Sequence, residues 1–217
     1  MTEELFDLSH TKAGEYLAAF AYPWEALPGL KDFLLALEET LDGAEYRQMA
    51  EHVFVAKSAE VAPTAYLGPY TVIGPETEVR HCAFIRGTAL IGAGAVVGNS
   101  TEIKNAILFD GVQAPHYNYI GDSILGYRAH MGAGSIASNF RSDKGNITVH
   151  LPQGNLETGL RKLGVLLGDR AEVGCNSVLC PGSVVGRDAM IYPLSRVRGT
   201  VPERTVYKGA GAPVPRH

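Results

Sequence analysis

Residues 55–109 read, cut into blocks of six, VAKSAE VAPTAY LGPYTV IGPETE VRHCAF IRGTAL IGAGAV VGNSTE IKNAIL F. Every block opens on an aliphatic residue, from Val55 through Val61, Leu67, Ile73, Val79, Ile85, Ile91 and Val97 to Ile103, and Phe109 closes the run. A short fixed period marks a solenoid, because a repeat this small cannot bury a face alone and must stack on its neighbours. The fifth residue of a block is small or β-branched, as in Ala59, Ala65, Thr71, Thr77, Ala83, Ala89, Ala95 and Thr101. One large and one small inward position per block describe a tapered interior. Gly68, Gly74, Gly92 and Gly98 follow directly after aliphatic positions, where a tight corner is expected to require dihedrals that a Cβ disfavours. Each block is therefore a short strand plus a corner, and successive coils are expected to pair about 4.8 Å apart as parallel strands.

Outward from this stretch the period resumes at Leu167, Val173, Leu179, Val185, Ile191 and Val197, with a bridging piece at Leu125, Met131 and Ala137. In between, Pro115 stands where an aliphatic residue is due, and Ile120 to Leu125 is a rung of only five. Between Asn139 and Leu167 the period is lost, so residues 140–166, with Arg141, Lys144, Arg161 and Lys162, are expected to leave the solenoid as an extended loop or hairpin. Ahead of the repeats, Leu30, Phe33, Leu34, Leu37 and Leu41 fall at helical spacing between Pro28 and Gly43, and a shorter helix is expected after Thr11. These give an expected division into a helical N-terminal cap (1–52) covering the open first coil, a β-helix (53–205) and a C-terminal tail (206–217). Trp24, the single tryptophan, lies in the connection between the helices and is expected to anchor them.

The composition narrows the classes. No apolar run approaches the roughly 18 residues needed to cross a bilayer, and the N-terminus lacks a basic-then-apolar signal, so a cytoplasmic, non-membrane protein is the default. Cys82, Cys175 and Cys180 form no CxxC and make an odd count, which points to reduced thiols without a disulfide framework or zinc site. A formal charge of −4 argues against a general nucleic-acid binder.

The polar residues gather around the interruption, at Glu102, Lys104, His116, Tyr117, Tyr119, Asp122, Arg128, His130 and Asn139. Function in a solenoid moves to such edges, since its interior is all packing. Asp122, within IGDS, is read as closing a turn. Three ordered segments, VGNSTEIKN, PHYNYIGDSILG and MGAGSIASN, resemble the acetyltransferase domain of bifunctional glucosamine-1-phosphate acetyltransferase/N-acetylglucosamine-1-phosphate uridylyltransferases, over about residues 55–205. The later NLETGLRKLGVLLGD and IYP segments look more like the archaeal sugar-1-phosphate nucleotidylyltransferase/acetyltransferases.

The resemblance implies an all-β, left-handed parallel β-helix of hexapeptide repeats, assembled as a homotrimer with sites between subunits. It implies transfer of an acetyl group from acetyl-CoA to the 2-amino group of an amino-sugar 1-phosphate, on the route to UDP-N-acetylglucosamine. By it His116 is the general base, a task suited to an imidazole with an ordinary pKa of about 6.5. Glu102 contacts the sugar or orients that imidazole, and the Ala133 amide stabilises the oxyanion. Arg86 and Lys104 face the sugar phosphate, Tyr119 and Asn139 position the sugar, and Lys144 is the nearest match to a lysine of the excursion. His130 stands where the bacterial proteins carry asparagine, and Phe140 where they carry tyrosine. Cys175, Tyr192 and Pro193, with Ala133, fall where the family lines its acetyl-CoA slot. No catalytic metal is implied. No glycine-rich nucleotidylyltransferase loop precedes the repeats, so that activity is expected of a separate partner. A non-catalytic sugar-phosphate or sugar-nucleotide binding or scaffold subunit is the alternative. A γ-carbonic-anhydrase-like metalloenzyme using His81 and His116 is a minor one, lacking a histidine at the expected third position.

Overall fold

The computed structural model describes residues 1–209 and 213–216 and is a three-faced prism of stacked coils, with the architecture of the left-handed hexapeptide-repeat β-helix. Three parallel ladders carry the inward aliphatics. On the first face Val55, Ile73, Ile91, Leu108, Leu125, Leu167, Val185 and Val201 pair in series. The second face stacks Val61, Val79, Val97 and Ala114, then Met131, Val173, Ile191 and Tyr207. Leu67, Ile85, Ile103, Ile120, Ala137, Leu179 and Val197 make the third. Most of the small positions are buried as well, and two of their hydroxyls are satisfied by the next coil: Thr77 donates to the Gly92 carbonyl at 2.7 Å and Thr101 to that of Ala114 at 3.0 Å, whereas the buried Thr71 hydroxyl finds no partner among the described residues.

Two readings of the repeat need correction. Leu108, not Phe109, is the partner of Ile91, so a five-residue rung already runs from Ile103 to Leu108. The phase slips by one there, and Ala114, fully buried opposite Val97, fills the place that Pro115 had seemed to leave empty. Phe109 sits at the corner instead, with its ring 5.3 Å from that of Phe6. The corner glycines also act differently from the expectation. Positive φ occurs two positions later, at Tyr70, Glu76, Ser100 and Asn176 (59°, 53°, 54° and 54°), and not at Gly68, Gly74, Gly98 or Gly174. What those glycines provide is close approach of coils: a Cβ on Gly74 would lie 2.7 Å from the carbonyl carbon of Gly92.

The helical part of the N-terminal segment runs lengthwise along the first face rather than across the open first coil, whose edge on that face is met only by the strand Tyr46–Ala50. The outward row of that face, Val72, Leu90, Ile107, Ile124, Leu166 and Val184, is at most 2% exposed. Burying such a side chain is worth about 1.5–3 kcal/mol, which is why an amphipathic helix is retained there. The helix Leu30–Glu38 buries Leu30 and Leu34, one turn apart, and packs on the strands Thr71–Ile73 and Phe84–Ile91. Trp24 stacks on Tyr22 at 4.7 Å and is itself buried. At the far end Asp169, 1% exposed, is a latch: it accepts the amides of Asp7 (2.7 Å) and Tyr127 (2.8 Å) and lies 3.3 Å from the Arg187 guanidinium. Arg187 in turn donates to the Glu3 carbonyl at 2.9 Å.

The strand Tyr46–Ala50 pairs antiparallel with Val53–Ala56 at one end of the prism. At the other end Val214–Pro215 pairs antiparallel with Thr205–Tyr207, so the ladder runs past the expected boundary at 205, while residues 210–212 and 217 of the expected tail lie outside the described residues. The excursion contains an antiparallel hairpin, Thr148–Leu151 with Gly154–Glu157. Ile147 and Val149 are buried, and Thr200 donates to the His150 carbonyl at 2.6 Å, which lays the hairpin on the later coils. Among the described residues no helix is long and apolar enough to cross a membrane.

Candidate active site

A polar cluster interrupts the third face at its middle rungs. It begins with an irregularity: Ile85 pairs with Ile103 but Gly87 with Lys104, so Arg86 is an extra residue in its strand, a bulge that re-aims its side chain. The Arg86 guanidinium meets the Glu102 carboxylate at 2.9 Å and is pushed to a higher pKa by that bond. Glu102 in turn lies beside Tyr119 on the next rung. Burial pushes the Tyr119 hydroxyl above the usual phenol range, while the Asn139 side chain opposes the shift. A Cβ on Gly121 would come within 2.6 Å of both the Tyr119 hydroxyl and the Asn139 amide nitrogen, so the glycine leaves the space these two groups occupy. Asp122 lies beneath, accepting from Asn105 at 2.8 Å and Asn139 at 2.5 Å, with the Lys104 ammonium at 3.3 Å.

A second group follows the corner where the second face gives way to the third. His116 ends the strand Gln113–His116 and is exposed. Its carbonyl accepts the Gly134 amide at 3.0 Å, the Ala133 carbonyl accepts Asn176 at 2.8 Å, and the Cys175 carbonyl accepts Leu194 at 2.9 Å. His116, Ala133, Cys175 and Pro193 therefore occupy one column, one coil apart. The Ala133 amide donates to no described residue. Asn118, 2% exposed, braces this corner: it accepts the His116 amide at 3.2 Å and donates to the Gly132 carbonyl at 2.8 Å. A groove of about 290 Å³ opens beside the column, lined by His130, Gly132, Glu172, Cys175, Tyr192 and Pro193.

The structure thus assembles Arg86, Glu102, Lys104, Tyr119 and Asn139 on one face, and sets His116, Ala133, Cys175, Tyr192 and Pro193 along the adjoining edge. Two expected residues stand apart. His130 is on the second face, 2.8 Å from Glu172 and beside the groove rather than in the polar cluster. Lys144 lies exposed in the excursion, its carbonyl accepting from Arg161 at 3.1 Å, and its ammonium bonds to no described residue. From sequence Asp122 reads only as closing a turn and Asn118 does not stand out, because an Asx residue in a turn is ordinary and most of their partners come from other coils. His81 and His116 are two rungs apart on the same corner, with Asn99 between them, and no group of three or more His, Cys, Asp or Glu side chains at metal-holding geometry occurs among the described residues. A wider groove of about 850 Å³, bordered by His10, Asp110, Tyr127 and Arg128, lies at the opposite corner of the second face.

No protein-family model matches the chain. It is 34% identical over 94 residues to a bifunctional sugar-1-phosphate nucleotidylyltransferase/acetyltransferase of Sulfurisphaera tokodaii, a match covering 43% of this chain and 23% of that protein. The bifunctional protein GlmU of Methanocaldococcus jannaschii is 35% identical over 92 residues, covering 42% and 22%. The match thus spans about a quarter of the length of these relatives. An uncharacterized acetyltransferase YaiX of Escherichia coli O6:K15:H31 is 31% identical over 106 residues, 49% of this chain and 46% of that one. Among solved structures, a perosamine N-acetyltransferase from Caulobacter crescentus is 18% identical with a TM-score of 0.34, over 70% of this chain and 50% of the other. By its repeats the chain is a hexapeptide-repeat β-helix, and over somewhat less than half of its length its sequence is similar to bifunctional sugar-1-phosphate nucleotidylyltransferase/acetyltransferases.

Proposed function

We propose that the chain is a cytoplasmic N-acetyltransferase that moves the acetyl group of acetyl-CoA directly to the 2-amino group of glucosamine-1-phosphate or galactosamine-1-phosphate. The observation that carries this reading is the corner column. His116 and the Ala133 amide are one coil apart, about 4.8 Å along the prism, so they can flank a single thioester carbonyl. In the proposed reaction the imidazole of His116 takes a proton from the amine as its nitrogen attacks the carbonyl carbon. The Ala133 amide, which no acceptor among the described residues uses, holds the developing oxyanion. Collapse of the tetrahedral adduct breaks the C–S bond and releases CoA as thiolate, leaving the amide product. Arg86 and Lys104 face the phosphate, Tyr119, Glu102 and Asn139 the sugar, and the groove at Cys175, Tyr192 and Pro193 takes the pantetheine arm, with His130 at its rim. The sugar class is carried by the sequence matches to sugar-1-phosphate enzymes together with the cluster's paired cations and hydroxyl-binding groups.

The faces also support a homotrimer packed through the third face. The first is covered by the N-terminal segment, the second carries an outward row in which Glu60, Glu78, Gln113, His130 and Glu172 alternate with the half-buried Val96, Met190 and Val206, and the third exposes the large apolar side chains Tyr66, Phe84 and Val178 in a row shared with Glu102, Tyr119 and Arg196. Phe84→Glu is therefore expected to convert the trimer to monomer, read by light scattering. A separate nucleotidylyltransferase would use the N-acetylated product.

Thiol release from acetyl-CoA, followed with each amino-sugar phosphate, tests the reading. His116→Ala is expected to lower kcat by about 10²- to 10⁴-fold, the usual worth of a general base. Its thermal midpoint should not change, because the side chain is exposed. The polar cluster is complete without His116, and this keeps a non-catalytic sugar-phosphate-binding or scaffold role as the second reading. Sugar binding without thiol release in the natural chain would select that role.

A further inference from the structure

We infer that Asp122 is a positioning residue for the sugar phosphate, an assignment that rests on the reading just proposed. Its side chain is 7% exposed and joins three successive coils. From the coil before come the Lys104 ammonium, 3.3 Å from each oxygen, and the Asn105 amide at 2.8 Å. From the coil after comes the Asn139 amide at 2.5 Å. Two of these three donors belong to residues that face the substrate, and Asn139 in turn adjoins the Tyr119 hydroxyl.

Only a carboxylate can do this. It offers two acceptor oxygens and no donor, so three donors from different coils converge without conflict. An asparagine would present an NH₂ group to one of them, and a buried donor facing a donor must move away. The backbone supports the same placement, since Asp122 occupies the left-handed region (φ 47°), which holds its side chain at the corner between the third and first faces.

The lengths are informative. A committed charge-assisted bond is about 2.7–2.9 Å, and the Arg86–Glu102 pair has that length. Lys104 instead sits evenly 3.3 Å from both oxygens of Asp122, held in place but not drawn into one tight bond. An arriving phosphate oxygen can take up the ammonium while Asp122 keeps Asn139 and Asn105. The carboxylate thus presets the two groups that meet the substrate and sets how tightly the sugar phosphate binds, without touching the acetyl-CoA groove on the second face.

The test compares Asp122→Asn with the natural chain in steady-state acetyl transfer, and by calorimetric binding of glucosamine-1-phosphate and galactosamine-1-phosphate. The expected result is a KM for the sugar raised tenfold or more, with the KM for acetyl-CoA within twofold. A role confined to folding would move both constants or neither. Asn105→Ala, which loosens Asp122 from a residue outside the substrate-facing set, should raise the sugar KM in the same direction by a smaller factor, and it decides the matter if Asp122→Asn does not fold. An unchanged sugar KM in a folded variant, or equal rises in both constants, overturns the inference while leaving the acetyl-transfer reading intact. If the natural chain binds sugar phosphate without transferring acetyl, the binding constants replace KM and the same comparison holds. If it neither binds nor transfers, both the reading and the inference fall.

Discussion

Asp110 shows how a single carboxylate can be retained against its own interest. Its amide donates to the His10 carbonyl at 3.0 Å and its side chain accepts the Ala93 amide at 2.7 Å, which ties the N-terminal segment to the prism. Burial nevertheless pushes its pKa above the usual aspartate range, outweighing the Ala93 bond and the nearby His10 and Lys12. A raised carboxyl pKa means that ionisation is costlier in the folded than in the unfolded chain. The cost grows as pH rises from about 4, the unfolded value, to the folded pKa, and is constant above it. Asp110→Asn keeps the acceptor and removes the charge. Thermal denaturation should therefore give a higher midpoint than the natural chain at pH 7, with the gain vanishing near pH 4. At this scale the sequence was most informative where residue types were unusual in order, as in the segments holding His116, Tyr119 and Asn139. For Asp122 it indicated only a turn and for Asn118 nothing, since their roles depend on partners 14 to 18 residues away in the chain.

At the scale of the coil, the six-residue period announced the solenoid because the interior admits one large and one small side chain per edge. What it concealed was the slip at Leu108. Once a rung of five occurs, every later position shifts, and an alanine in an aliphatic place gives too weak a signal to recover the phase. The glycines were misread for a related reason. Composition says that a corner dislikes a Cβ, but only the stacking tells whether the obstacle is the residue's own dihedrals or the coil above. Gly174 separates the two, since its φ is ordinary and an added Cβ would stand 2.7 Å from the Tyr192 carbonyl carbon. Gly174→Ala should accordingly cost about 1–3 kcal/mol in urea unfolding, the range of an overpacked core. Gly43→Ala, where nothing lies within 4 Å, should be neutral or slightly stabilising, by at most about 1 kcal/mol.

For the whole molecule, the N-terminal segment was legible as helical but not in its place, because an amphipathic helix declares an apolar face and not the surface that will cover it. The covered surface proves to be the outward row of the first face, fastened at the far end by Asp169. Removing one partner of a buried charge pair costs about 3–5 kcal/mol, so Asp169→Ala should lower the urea midpoint markedly. Limited proteolysis should then cut within residues 1–45 sooner than in the natural chain. If cleavage and midpoint both stay put, the latch is ornamental. The two ends of the prism have a consequence of another kind. A ladder of rungs all pointing one way could in principle add further chains end to end, as fibres do. Here the terminal rung of the first face is covered by Tyr46–Ala50 and that of the second by Val214–Pro215, each running against its neighbour. On the covered face at each end an incoming coil would find the edge already paired and the exposed strand in the wrong direction, so one of the three ladders opposes end-to-end growth at either end of the prism.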